Sequence, residues 1–275
     1  MSNNRKPLVI YHANCWDGFC AAWVARMALG EIEAVPAHYG TQPPNVEGRE
    51  VYVVDFCYPL DTMIEIATVA RSLVVLDHHK TAQSTLAHLS MNFGLTAVYA
   101  EDKSGARIAW EWFAQLGGWQ GMDAPWLVNY TEDRDLWRHA LPESENINAA
   151  LRSYPLDFAV WDEFHSMVGQ REMFKREGAA IRRAEKQIVS AHIRHARSQN
   201  IGGHDVPVVN ATVLFSEIAG ELAKGQPFGA CYFDRFDGKR QWSLRSDENG
   251  LDVSEIAKAY GGGGHKRAAG FEAQP

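Results

Sequence analysis

Side chains that commonly bind metal ions follow three short apolar runs in the first third of the chain. His12 follows LVIY, Asp55 follows VYVV, and the tripeptide Asp77–His79 follows LVVL. If the three runs are neighbouring parallel strands, their carboxyl ends converge on one crevice and bring these residues together. Carboxylate oxygens and imidazole nitrogens in one cleft suit a divalent metal ion such as manganese. The spacing therefore predicts a metal site at one edge of a sheet.

The elements that would position this site alternate between strand-like and helix-like segments. Strands are predicted at residues 7–11, 51–54 and 73–76, and helices at 18–29 and 61–70. Strands separated by helical crossovers are typical of an α/β fold with a mainly parallel sheet and flanking helices. We expect this fold in the first half of the chain.

Beyond residue 100 the pattern becomes helical and then returns to an α/β texture. Ser104 is a predicted helix N-cap, and Asp252 is another near the carboxyl terminus. We predict a metal-binding catalytic domain at 1–150, a helical connector at 151–200 and a smaller α/β domain at 201–275. The many charges of the connector are interpreted as a solvated face rather than a binding patch.

Composition limits the classes of protein to which the chain can belong. Of its 275 residues, 46% are hydrophobic and 22% are charged, which indicates a globular protein. The net charge of −7 argues against an extended nucleic-acid surface but is compatible with a small anionic substrate. The four cysteines show no CxxC spacing, so reduced thiols and a cytoplasmic location are expected. No apolar run is long enough to span a membrane.

Four consecutive glycines near the carboxyl terminus are the most unusual local feature. Such tracts are most often flexible linkers. This one lies between a predicted capped helix and the apolar segment AAGF, where bare backbone N–H groups could form an anion nest. We therefore predict a phosphate cradle, whose expected contacts are Gly262, Gly263, Gly264, His265 and Arg267.

Taken together, five motifs in this order resemble the DHH phosphoesterase superfamily, and more narrowly its branch with a carboxyl-terminal DHHA1 domain. They are HANCWDG at 12–18, VVDF at 53–56, LDHH at 76–79, EDRDLW at 132–137 and GGGGH at 261–265. The resemblance spans residues 7–272. It implies a parallel-sheet domain that carries one or two manganese ions, for which magnesium or cobalt could substitute, and a smaller domain that holds substrate.

The resemblance also implies roles for individual residues. His12 would bind one ion, Asp17 would bind the other, and Asp55 would bridge both. His78 would ligate the second ion, while Asp77 would orient its neighbours as a supporting carboxylate.

Three further positions complete the implied site. His79 would face the substrate phosphate, and Arg245 is a candidate phosphate contact. The fourth-motif ligand is Asp133 or Asp135, because the segment DRD offers both, with a slight preference for Asp133.

One departure from the family pattern concerns the first motif. The family commonly has an additional aspartate between the motif's histidine and its final aspartate, but residues 13–16 are ANCW. The site around Asp17 is complete on paper, whereas the His12 site lacks one anionic ligand. Water, substrate, Asn14 or Cys15 could fill that place, and the sequence leaves open whether one or two ions bind.

The activity implied by the resemblance is hydrolysis of phosphate esters by metal-activated water. A short oligonucleotide or small nucleotide is the preferred substrate, since the chain lacks positive charge and any additional nucleic-acid module. A RecJ-like exonuclease on long single strands and a degenerate nucleotide-binding protein are the alternatives. The oligomeric state is not determined by the sequence, and a homodimer stays open.

Overall fold

The structure, a computed structural model, describes residues 5–167 and 169–275. The chain divides into two compact units, Met1–Ala179 and Ala180–Pro275. The division falls within the helical connector predicted from the sequence. Among the described residues, no helix combines the length and the apolar character needed to cross a membrane.

Within its described residues, 5–167 and 169–179, the first unit contains five strands and most of the helices. In chain order its elements are β1 Leu8–His12, α1 Trp16–Leu29, β2 Glu33–Ala37, β3 Glu50–Val54, α2 Leu60–Val69, β4 Ser72–Asp77, α3 Gln83–Phe93, β5 Thr96–Tyr99, α4 Gly105–Gly117, α5 Trp126–Asp135, α6 Ser144–Leu151 and α7 Phe158–Ser166. The last helix to begin in this unit, α8 Gln170–Ile193, crosses the division.

The five strands form one parallel sheet in the order β2-β1-β3-β4-β5. Sequence order reverses between β1 and β3, which is the kind of position where open α/β sheets bind ligands. The strand interiors are apolar because helices cover the sheet, and Ile10, Val53 and Val75 are completely buried. The predicted α/β class with a mainly parallel sheet is confirmed.

Helix α1 is buried along much of its length rather than on one stripe. Its buried residues run continuously from Asp17 to Ala25 and include the large side chain of Trp23. A helix that is apolar on all sides belongs in a protein interior. Its first turn, which carries Asp17, is therefore held between other elements.

The second unit has a six-stranded sheet and two helices of its own. Its elements are β6 Arg197–Ile201, β7 His204–Asn210, α9 Phe215–Ala223, β8 Gly229–Asp234, β9 Arg240–Arg245, α10 Val253–Ala259, β10 Gly263–His265 and β11 Ala268–Ala273. The strand order is β10-β11-β9-β8-β7-β6, with every neighbouring pair antiparallel except β7 and β8. This smaller α/β unit agrees with the predicted fold class.

Two predicted helix caps are present. The Ser104 side chain accepts a hydrogen bond from the backbone N–H of Arg107, and the Asp252 side chain accepts one from Ser254. Both bonds satisfy backbone donors that the first turn of a helix leaves without intrahelical partners.

Candidate active site

The candidate site lies at the carboxyl ends of three adjacent strands of the first unit. His12 is the last residue of β1, Asp55 follows β3, and Asp77 is the last residue of β4. These strands are neighbours in the order β1-β3-β4. Asp55 has a φ of 54°, a left-handed conformation that few residues other than glycine and Asx adopt. The backbone thus turns sharply at Asp55, directly after the end of β3.

One nitrogen of His78 lies among three carboxylates. Its Nε2 is 3.0 Å from Asp55 Oδ1, 3.6 Å from Asp17 Oδ2 and 3.7 Å from Asp135 Oδ2. Ligand atoms of Asp17, His78 and Asp135 all lie within 4.8 Å of one another. Asp17, Asp55 and His78 are each at most 2% exposed. Three carboxylates and an imidazole therefore share one small buried volume.

Several of these oxygens lack the hydrogen bonds that burial would normally require. In the part of the chain that the structure describes, Asp55 Oδ2 and Asp135 Oδ2 are buried without a hydrogen-bond partner. A buried carboxylate oxygen without a donor is costly unless a cation compensates its charge. Oxygen donors with one imidazole also match the preferences of manganese and magnesium. The residues present therefore fit a divalent ion.

The electrostatics of the cluster reflect the same crowding of negative charge. Burial raises the pKa of Asp55 and Asp135, the charge of Asp17 adds to the shift at Asp55, and the charge of Asp55 adds to the shift at Asp135. Burial alone would lower the pKa of His78, but the Asp55 contact and the charges of Asp135, Asp55 and Asp17 outweigh it and raise that pKa to about 10. Without a metal ion, a proton on His78 would therefore supply the positive charge.

Asp17 is held by the amino terminus of α4. Its Oδ2 accepts a hydrogen bond from the Gly105 N–H at 2.6 Å, and its Oδ1 accepts one from the Ala106 N–H at 3.0 Å. The positive end of the helix dipole and its unsatisfied N–H groups favour an anion at this position. The Asp17 carboxylate is thus oriented by residues 88 and 89 positions further along the chain.

Titration of Asp17 should be visible in the stability of the metal-free protein. Burial and the charge of Asp135 raise the pKa of Asp17 from 3.8 to about 6. Between these values the folded protein retains a proton that the unfolded chain has lost, so stability falls as pH rises. We expect Asp17→Asn to remove this fall, and therefore to gain stability relative to the wild type between pH 4 and 6. Chemical denaturation at several pH values in chelator measures the difference, and parallel curves would contradict the expectation.

Gly105 allows α4 to approach Asp55 closely. A Cβ at residue 105 would lie 2.5 Å from Asp55 Cβ and 2.7 Å from Asp55 Oδ1. We expect Gly105→Ala to cost about 1–3 kcal/mol through overpacking, although alanine is ordinarily the better helix former by about 1 kcal/mol. Manganese affinity should fall as well, because Asp17 and Asp55 would be displaced. Thermal unfolding and metal titration measure the two effects.

A suitable comparison for this variant is Gly94→Ala. Gly94 has a φ of 61° and no atom within 4 Å of its Cβ position, so alanine there introduces backbone strain without a contact. We expect it to lower stability and leave metal affinity unchanged. An unchanged or raised Tm for Gly105→Ala would show that α4 can move away from Asp55 without cost.

Asp77 organises the two histidines that follow it. Its Oδ1 accepts hydrogen bonds from the backbone N–H groups of His78 and His79 at 2.8 and 3.2 Å, and lies 2.7 Å from His79 Nδ1. Burial lowers the pKa of His79, but the Asp77 charge and contact raise it more strongly. The supporting role expected for Asp77 stays a prediction.

The acidic residues of α5 have three different environments. Asp133 accepts backbone hydrogen bonds from Ala140 at 2.9 Å and from Leu141 at 3.3 Å. Glu132 lies 3.0 Å from Arg107 Nε. Asp135 lies with Asp17 and His78. The position of Asp135 therefore favours it as a ligand, whereas the Asp133 side chain accepts N–H groups of the segment that follows α5. The sequence slightly prefers Asp133, and the choice between the two residues stays a prediction.

A second group of candidate ligand atoms includes His12. Atoms of His12, Cys15 and Asp55 lie within 4.8 Å of one another. Burial lowers the pKa of His12, and burial with the charges of nearby carboxylates holds the pKa of the Cys15 thiol well above its usual range. Without a cation both side chains are therefore neutral. From the sequence alone, Cys15 is only one of several groups that could complete the His12 site.

The second unit contains the predicted phosphate contacts. The Arg245 guanidinium donates to the Ser216 hydroxyl at 2.7 Å and to the Leu244 carbonyl at 2.8 Å. Arg267 is exposed, and His265 is half-buried. The roles predicted for these three residues stay predictions.

The glycine tract is partly a strand rather than an open loop. Gly263–His265 pairs with Ala268–Gly270 in an antiparallel hairpin. A Cβ at Gly262 would lie 2.1 Å from the Gly270 carbonyl oxygen, and one at Gly264 would lie 2.5 Å from the Ala268 carbonyl oxygen. Close backbone packing accounts for these two glycines, and the phosphate cradle stays a prediction.

The chain is similar to a curated oligonucleotide-degrading enzyme. It is 26% identical to the oligoribonuclease NrnB of Bacillus subtilis over an alignment that is 298 positions long and covers 95% of this chain and 71% of NrnB. No protein-family model matches the chain.

Two solved structures have the same fold. The pGpG-specific phosphodiesterase PggH of Vibrio cholerae aligns with a TM-score of 0.55 and 12% identity, covering 98% of this chain and 94% of PggH. The DHH domain of PF0399 aligns with a TM-score of 0.55 and 12% identity, covering 97% of this chain and 82% of that domain. At this identity the likeness concerns the fold.

Proposed function

We propose that this chain belongs to the DHH/DHHA1 phosphoesterase superfamily and is a manganese-dependent phosphodiesterase that cleaves short oligonucleotides or small nucleotides, as its similarity to NrnB and its fold support. The observation that carries the proposal is the arrangement around His78. Its Nε2 has carboxylate oxygens of Asp55, Asp17 and Asp135 at 3.0, 3.6 and 3.7 Å. Three carboxylates crowded in a largely buried site favour the binding of a cation.

The side chains around the site would have different roles in hydrolysis. When bound, a divalent ion supplies Lewis acidity and an activated water. Asp55, Asp17 and Asp135 would hold the ion with His78. Asp77 holds His79 through Nδ1 and favours its protonated form, which can donate a hydrogen bond to a phosphate oxygen. Asp77 thus acts through His79 rather than on the substrate.

Charge and similarity support a short substrate. Long single strands are held by basic grooves, with one salt-sensitive contact for each neutralised phosphate, whereas this chain has a net charge of −7. The names of NrnB and PggH describe enzymes acting on oligoribonucleotides and on a dinucleotide. We infer that this chain acts on substrates of the same size.

The test is turnover by the purified full chain with manganese on a set of matched substrates. A dinucleotide, a pentanucleotide and a long single strand of the same base composition are compared at low and moderate salt, together with a cyclic dinucleotide and adenosine bisphosphate. We expect the short substrates to be cleaved fastest, with little effect of salt, and no turnover after chelation. Salt-sensitive preference for the long strand would support the RecJ-like alternative. Bound manganese and nucleotide without turnover would overturn the enzymatic proposal.

A further inference from the structure

The N-cap position of α1 places a thiol rather than a carboxylate near Asp55. Asn14 has a φ of 56°, so the chain reverses between the end of β1 and the start of the helix. Cys15 follows as the N-cap residue, but its side chain makes no capping hydrogen bond. Asn14 is exposed, whereas Cys15 is half-buried. The turn therefore places the thiol on the inner side, within 4.8 Å of ligand atoms of His12 and Asp55.

An independent observation points to a ligand at the same place. Asp55 is 1% exposed, and its Oδ2 is buried without a hydrogen-bond partner among the described residues, as is His12 Nδ1. These two atoms are 3.8 Å apart, too far for a hydrogen bond between them. A cation contacting both atoms would satisfy the two of them at once.

The Asp55 carboxylate has a different neighbour at each oxygen. Oδ1 lies 3.0 Å from His78 Nε2, and Oδ2 lies 3.8 Å from His12 Nδ1. The group that contains His12 and Cys15 is therefore a second subsite, joined through Asp55 to the one formed by Asp17, His78 and Asp135. The two subsites differ in chemistry because only one of them contains sulfur.

We propose that Cys15 binds a divalent ion as a thiolate, together with His12 and Asp55, and so replaces an oxygen ligand with sulfur at one of two unlike metal subsites. This inference rests on the proposed function only in assuming that the site holds metal. On binding, the thiol loses its proton to solvent and a sulfur–metal bond forms, with no change of oxidation state. A mixed sulfur, nitrogen and oxygen set favours zinc or cobalt, whereas the subsite of Asp17, His78 and Asp135 favours manganese or magnesium.

Cobalt titration of the metal-free protein tests the proposal without an activity assay. A thiolate–cobalt bond produces an intense charge-transfer band in the near ultraviolet that oxygen and nitrogen ligands do not produce. We expect one such band per chain, and we expect Cys15→Ser to abolish it. The same substitution should lower zinc affinity at this subsite by at least about a hundredfold. Loss of a group that only supports a metal ligand costs up to about a hundredfold, and loss of the ligand itself should cost at least as much.

Two further variants make the result specific. Cys57→Ser is the matched control, because Cys57 is buried in the same unit, donates to the Tyr58 carbonyl oxygen at 3.3 Å and belongs to none of the ligand groups found among the described residues. It should keep the band. Cys15→Asp should lose the band but keep two ions per chain, and it should bind manganese more tightly than the wild type. Retention of both ions would show that the variant is folded and that the band is lost because the thiolate is absent.

Failure of this inference can be distinguished from failure of the proposed function. No band from wild-type protein with two cobalt ions bound, or an unchanged band in Cys15→Ser, would overturn the role of Cys15 while leaving manganese-dependent turnover untouched. A band that depends on Cys15 in a protein without phosphodiesterase activity would support the thiolate ligand and count against the catalytic proposal.

Discussion

Asp55→Asn should lower manganese-dependent turnover by about a thousandfold, because a metal ion contributes several kcal/mol to the transition state and about 1.4 kcal/mol corresponds to a factor of ten. Asparagine keeps the shape of the side chain but removes the negative charge. Asp55 belongs to ligand groups with His12 and with His78, so both ions should bind more weakly. Initial rates at saturating manganese, with metal content measured in parallel, check this expectation.

The same variant should not unfold the protein. Asp55 is completely surrounded by protein, and its Oδ2 lacks a hydrogen-bond donor in the described part of the chain. Because the carboxylates of Asp17 and Asp135 remain beside His78, we expect the metal-free variant to stay folded with a Tm close to that of the wild type, and the Tm gained on adding manganese to fall. Asp61→Asn, on the exposed first turn of α2, is the control and should change neither quantity appreciably. Turnover above a tenth of the wild-type value for Asp55→Asn would refute the site assignment.

Asp135→Asn should lower metal content and turnover, whereas Asp133→Asn should largely preserve both, although the two residues are only two positions apart. Asp135→Asn should remove the ion held with Asp17 and His78, and turnover should fall by about a hundredfold or more if that ion supplies several kcal/mol of stabilisation. Asp133→Asn should retain metal and most of the activity, because both of its oxygens accept loop N–H groups. Metal stoichiometry and turnover of the two variants settle the choice.

The thermal stabilities of Asp133→Asn and Asp135→Asn should also differ. Asp133→Asn exchanges a charged acceptor of the Ala140 and Leu141 N–H groups for a neutral amide, at a cost of about 1–2 kcal/mol. For a unit of this size, the Tm should fall by about 2–8 °C. Asp135→Asn should leave the metal-free Tm unchanged or raised. If Asp133→Asn instead loses the metal ion, the fourth-motif ligand is Asp133, and the loop contacts are secondary.

The part of the site that could be predicted from sequence is the part fixed by strand ends. His12, Asp55 and Asp77 each follow an apolar run, and the topology of parallel strands joined by helices brings such positions together without knowledge of any side-chain contact. The caps Ser104 and Asp252 could be predicted for a similar reason, because a cap depends on residues only two or three positions away.

The remaining features depend on contacts distant in sequence. Asp133 and Asp135 have different environments because the chain returns at Ala140 and donates an N–H to Asp133, and the environment of Asp17 is made by the amino terminus of α4. The glycine tract resembles an anion nest by composition, but its conformation depends on the partner strand of the hairpin, which composition does not reveal.

The hydrogen bonds to Asp17 have a consequence for the thermodynamics of ion capture. Its two oxygens are fixed by the N–H groups of Gly105 and Ala106, and Asp77 fixes the ring of His79 in the same way. These side chains lose their rotational freedom when the chain folds, at a cost of up to about 1–2 kcal/mol each for long side chains and less for these. An arriving ion therefore meets a rigid receptor, and little conformational entropy remains to be lost on binding. At the subsite of Asp17, His78 and Asp135, selectivity among cations that prefer oxygen ligands should accordingly be determined by ionic radius and hydration, since the receptor has little freedom to adapt.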